Sequence, residues 1–79
     1  MKTRPYLLLR LQERSLRLED VEVALANEVH REIQPDGRIR VWGWVPRLDK
    51  YLRVVRLEDG ETVLNAMPDR NFTRHRGQP

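Results

Sequence analysis

The chain has 79 residues, no cysteine and a formal net charge of +3, which fits one small two-layer domain and leaves no room for a large core or an enclosed cofactor. Without cysteine there is no disulfide scaffold, no thiolate nucleophile and no Cys-ligated zinc, and a reducing cytoplasm is the expected compartment. The apolar run Leu7-Leu8-Leu9 stops at Arg10, far short of a secretory core or of the roughly 20 residues that cross a bilayer. No membrane association is expected.

In chain order, the first helix is predicted to start near Thr3 or Arg4, with Pro5 in its first turn, where a missing N–H costs nothing, and to run to about Arg14. Leu7, Leu8 and Leu11 form its expected buried stripe. A tight link, Ser15-Leu16-Arg17, leads to a second helix from about Leu18 to Asn27, with Leu18, Val21 and Leu25 at helical spacing and Glu19 and Asp20 complementing the helix dipole. From Glu28 the period becomes two. Val29, Arg31 and Ile33 alternate with His30, Glu32 and Gln34, which predicts an edge strand over 28–34 that ends at Pro35-Asp36-Gly37.

A strand over 38–45 follows, with Ile39, Val41, Gly43 and Val45 on the face toward the helices and Arg38, Arg40, Trp42 and Trp44 on the other. Gly43 is read as the mark of a bulge. Pro46 ends that strand, and the loop Arg47-Leu48-Asp49 leads into a hairpin of strands 51–57 and 62–67 around Glu58-Asp59-Gly60, where Asp-Gly supplies the positive φ of a tight reversal. The consecutive Val54 and Val55 predict a central strand covered on both faces. The fold class is therefore α+β: two N-terminal helices packed on a four-stranded antiparallel sheet, in the order ααββββ. Leu11, Leu18, Val21, Leu25, Val41 and Val54 are the expected core. Residues 1–72 make the domain, and Thr73–Pro79, which lacks apolar side chains, is expected to be a frayed tail.

Charge is unevenly placed. Residues 1–35 carry six Lys/Arg against six Asp/Glu, whereas 36–57 carry six (Arg38, Arg40, Arg47, Lys50, Arg53 and Arg56) against Asp36 and Asp49 alone. Arginine at alternate strand positions either solvates an open sheet face or offers forks to phosphate. Trp42 and Trp44 have three readings: a platform for single-stranded bases beside Arg38 and Arg40, a patch that a protein partner covers, or a second small core closed through Met67 or Phe72. Asp69-Arg70-Asn71 is read either as a strand-ending cap with a local Asp-Arg pair or as part of a polar pocket beside Asn65. No metal-ligand spacing, phosphate loop or Ser/His/Asp set is present, so no cofactor or metal is expected.

The run Arg10-Leu11-Gln12-Glu13-Arg14-Ser15-Leu16, then Leu18-Glu19-Asp20-Val21 and Leu25, and later Tyr51-Leu52-Arg53-Val54-Val55, resembles the small bacterial domain of unknown function 4258 over about residues 6 to 67. Members of that family look like outlying relatives of the RelE-like and barnase-like ribonuclease fold, and the resemblance implies N-terminal helices on a curled antiparallel sheet. Members commonly carry a histidine one turn before the first arginine of the motif, where this chain has Tyr6. RNA cleavage through the 2′-hydroxyl needs a base, an acid and cations for the phosphorane, and a phenol is a poor base at neutral pH.

The expectation is a protein- or RNA-interaction module that keeps a nuclease-like fold without strong catalysis. Its binding residues are Arg38, Arg40, Trp42, Trp44, Arg53 and Arg56. The alternative is a toxin-type, metal-independent endoribonuclease made with an antitoxin, as the resemblance implies, working through a cationic cluster of Arg10, Arg14, Tyr51, Arg53 and Arg70, with Tyr6 and Lys50 as further candidates. His30 and His75 are not assigned a catalytic part. Antitoxin, another protein, RNA and a second copy of the chain are the partners considered.

Overall fold

The computed structural model describes residues 1–72, so the tail expected over 73–79, with His75, lies outside the described residues. Helix α1 (Pro5–Glu13) begins at Pro5, with Arg4 still extended at φ −119° and ψ 153°. It ends in a left-handed residue, Ser15 at φ 56°. There the Leu16 N–H donates to Leu11 O at 2.8 Å and the Ser15 N–H to Gln12 O at 3.1 Å, the paired bonds that close a helix and return the chain to the core. Leu7 and Leu11 are buried, but Leu8 is 48 % exposed. The expected stripe was one residue too wide, because α1 lies over one edge of the sheet and presents a narrow face to it.

Helix α2 (Leu18–Ala26) starts where Asp20 Oδ2 accepts the Arg17 N–H at 2.8 Å, and it buries Asp20, Val21 and Ala24. Leu18 and Leu25 pack at the margin of the core. The four strands, β1 (Glu28–Ile33), β2 (Ile39–Val45), β3 (Lys50–Arg56) and β4 (Val63–Pro68), pair antiparallel in the order β1-β2-β3-β4. This is the predicted ααββββ arrangement. A single 3₁₀ turn, Pro46–Leu48, joins β2 to β3. The N-terminal segment adds a short parallel bridge along β4, with the Lys2 N–H on Glu61 O at 3.0 Å and the Val63 N–H on Lys2 O at 2.9 Å.

The core lies between the helices and one face of the sheet: Leu7, Leu11, Leu16, Val21 and Ala24 meet Val45, Leu52, Val54, Val63 and Ala66. Gly43 is not a bulge in β2, which pairs with β3 without interruption through Gly43↔Leu52. A Cβ at Gly43 would stand 1.8 Å from the Ala24 carbonyl oxygen, so glycine is required for α2 to lie close to the sheet. The irregularity falls across the ladder in β1, between Glu28 and His30. Beyond it, His30 pairs with Trp42 and Glu32 with Arg40, which sets both side chains on the face away from the helices.

Candidate functional site

The open face of the sheet carries His30 and Glu32 from β1, Arg40, Trp42 and Trp44 from β2, and Tyr51 and Arg53 from β3, as the two-residue period requires. After β4 the chain folds back over this face. The Asp69 N–H donates to Tyr51 O at 3.0 Å, the Trp42 indole Nε1–H donates to Asp69 Oδ2 at 2.9 Å, and the Phe72 ring stacks on Trp42 with centroids 5.2 Å apart and planes 13° apart. Trp42 is 5 % and Phe72 7 % exposed. Of the three readings of the tryptophans, a second small core closed by Phe72 is the one found for Trp42. Trp44 is half-buried and meets Tyr51 edge-on, with centroids 4.9 Å apart.

Among the described residues Asp69 makes no ion pair with Arg70, and Asn65 opens on a different hollow, with Arg38 and Arg40. The Trp42 indole N–H, then the Asn71 N–H, the charge of Arg53 and the Phe72 N–H hold its carboxyl below the usual carboxylate range, against the opposing effect of burial. Asp69 thus stays ionised and locks the returning segment. Beside it lies a hollow of about 500 Å³ lined by His30, Glu32, Arg40, Trp42, Arg53, Asp69, Asn71 and Phe72. His30 Nε2 and Glu32 Oε2 stand 3.2 Å apart at its rim, and both side chains are about half exposed. The Arg53 guanidinium leans on the sulfur of Met67. A smaller hollow next to it takes in Arg38, Arg40 and Asn65.

The remaining expected site residues are dispersed. Tyr6 and Arg10 bond to each other on the outer surface of α1, where Arg10 Nε donates to the Tyr6 hydroxyl at 2.7 Å. Arg14 turns inward and donates to Asn65 Oδ1 at 2.7 Å, tying α1 to β4. Arg56 alternates with Arg53 and so faces the helix layer, where its Nη1 donates to Gly60 O at 3.1 Å. It does not line the open face. Arg70 and Tyr51 share a hollow with Lys50 at the far end of the sheet. Arg40 and Arg53 thus come together, whereas Tyr6, Arg10 and Arg14 belong to the helix layer and Arg53, Tyr51 and Arg70 to the opposite one.

Two residues that sequence reasoning left aside, His30 and Glu32, enter the central hollow. Their alternation with Val29, Arg31 and Ile33 was the available signal, but the partner face could not be read from it. Among the described residues no cluster of three metal-ligating side chains occurs, and no helix is long and apolar enough to cross a membrane. No protein-family model, curated protein or solved structure matches the chain.

Proposed function

We propose that the protein is a small interaction module whose open sheet face takes up single-stranded RNA. The observation that carries this reading is the meeting of Arg40 and Arg53, from adjacent strands, in the central hollow. Guanidinium forks on rigid strands suit phosphate. The cations are offset by Glu32 and Asp69 in the same hollow, so the affinity is modest and depends on ionic strength. With about two phosphates neutralised, log Kd against log salt has a slope of magnitude about 1.5. The test is binding of a labelled single-stranded RNA at low and moderate salt: Arg40→Ala and Arg53→Ala each weaken it and flatten the salt dependence, while Arg10→Ala on the helix layer does not. Salt-independent binding, or none at low ionic strength, rejects the reading.

The contact between His30 and Glu32 beside these arginines favours a second reading, the metal-independent endoribonuclease of a toxin–antitoxin pair. The 2′-hydroxyl oxygen attacks phosphorus as its proton passes to one of the two groups. The 5′-oxygen leaves with a proton supplied by an acid, and the products are a 2′,3′-cyclic phosphate and a 5′-hydroxyl. Arg40 and Arg53 offset the charge of the phosphorane. This route needs no histidine at position 6. Cleavage in the presence of a chelator, lost in His30→Ala and Glu32→Gln while RNA binding persists, decides for it. Binding without cleavage decides for the interaction module.

A further inference from the structure

We infer that the corner formed by Trp44 and Tyr51 is a subsite for one unpaired nucleobase of the bound strand. This rests on the RNA-binding reading above and assigns a part of the open face that the central hollow does not use. Trp44 and Tyr51 are cross-strand partners in the β2–β3 ladder, and their rings meet at 70°. Two flat walls nearly at right angles border a hollow of about 500 Å³ that Asn27, Glu28 and Val29 complete. That volume falls within the roughly 300–1,000 Å³ usual for small-ligand sites. Trp42 cannot serve the same purpose, because Phe72 covers its face and Asp69 takes its N–H. The Trp44 indole N–H has no partner among the described residues, and its ring is half-buried.

The polar rim suits the edge of a base. Asn27 Nδ2 donates to Trp44 O at 3.0 Å, which fixes the carboxamide plane. The Oδ1 atom and the second amide hydrogen remain to read a donor–acceptor edge. Glu28 is held by Arg31 through two bonds, Nε to Oε2 at 3.1 Å and Nη2 to Oε1 at 2.8 Å, so its charge is compensated before an anionic strand arrives. The β1 irregularity between Glu28 and His30 lies at this point, as bulges often do beside sites.

The hollows also connect. The one containing Lys50 and Arg70 shares Trp44 and Tyr51 with the base corner, and shares Asp69 and Phe72 with the central hollow. A strand with one base in the corner therefore passes its phosphates by Lys50 and Arg70 toward Arg53 and Arg40. A paired base cannot enter, because its edge and both its faces are already engaged in the duplex.

The test compares one short RNA, an abasic strand of the same length and charge, and the corresponding duplex, by anisotropy at low ionic strength. The wild-type protein is expected to bind the base-bearing single strand about ten-fold more tightly than the abasic one. Trp44→Leu is expected to erase that preference and leave abasic binding unchanged. Asn27→Ala, at an exposed helix end, is expected to alter the ranking of A, C, G and U homopolymers while the domain stays folded. Equal wild-type affinity for base-bearing and abasic strands overturns the subsite and leaves phosphate binding at Arg40 and Arg53 intact. Failure of every strand to bind overturns both. If Trp44→Leu does not fold, retention of the wild-type ranking by Asn27→Ala, or tight binding of the duplex, is sufficient to reject the subsite.

Discussion

At the scale of single residues, Gly43 decides how close the helix layer comes to the sheet. The missing side chain admits the Ala24 carbonyl, and a methyl group there would meet the Ala24 backbone, its O, C and Cα at 1.8, 2.5 and 2.8 Å, where no rotamer change gives relief. Gly43→Ala is therefore predicted to destabilise the domain by about 3 kcal/mol, the upper end of ordinary overpacking. The denaturant midpoint measures it, and an unchanged midpoint would mean that α2 does not cross β2 at this point. Ser15 is the converse case, a non-glycine residue held at positive φ because the bonds from Ser15 and Leu16 back to α1 and the burial of Leu16 require it.

At the scale of elements, three carboxylates hold neighbouring pieces together, and all three have lowered pKa values. Asp20 joins the start of α2 to the 3₁₀ turn through Arg47 Nε at 2.9 Å, and this bond is the main cause of its shift. Asp69 secures the segment after β4. Asp59 orders the β3–β4 turn by accepting the Thr62 N–H at 2.9 Å, the Glu61 N–H at 2.8 Å and the Thr62 hydroxyl at 2.7 Å. These bonds bring its carboxyl from 3.8 to about 2, the Thr62 N–H contributing most.

A carboxyl whose pKa falls on folding stabilises the native state above its unfolded pKa, and that contribution is lost as pH drops through the folded value. The melting temperature is accordingly predicted to be level above about pH 5 and to fall steadily from about pH 4 to pH 2. Asp59→Ala is predicted to melt lower at pH 7 and to lose less on acidification than the wild type. Equal acid sensitivity of the two proteins would remove Asp59 from the account.

At the scale of the whole molecule, the sheet carries two clusters, the larger one under the helices and a smaller aromatic one on the open face. Phe72 joins the second cluster by contacting Trp42, Tyr51 and His30, with centroids between 5.1 and 5.9 Å. Phe72→Ala is predicted to cost about 3 kcal/mol, as is usual for truncating a buried aromatic residue, and to shift the emission of Trp42 to the red as water reaches it. A stable variant with unshifted emission would show that the aromatic cluster does not depend on this residue. The same closure forms one wall of the central hollow, so it also sets the shape of the surface offered to RNA.

Much of this architecture was legible in the chain itself. The change of apolar period at Glu28, Pro5 at a helix start, and the turns at Pro35-Asp36-Gly37 and Glu58-Asp59-Gly60 are local signals, because backbone conformation responds first to neighbouring residues. Alternation also assigned Trp42, Trp44 and Arg40 to one face, since the strand period is two. The candidate site was legible only in part. Arg53 and Arg56 were grouped although they point to opposite faces, and Tyr6 and Arg10 were grouped with Arg53 and Arg70 although a sheet lies between them. Two facts that no local pattern contains came from tertiary packing: Ala24 against Gly43 seats α2 on the sheet, and the irregular step in β1 brings His30 and Glu32 beside Arg40 and Arg53. Which side chains face one another depends on pairing between segments distant in sequence, and that pairing is selected by the burial of the whole core.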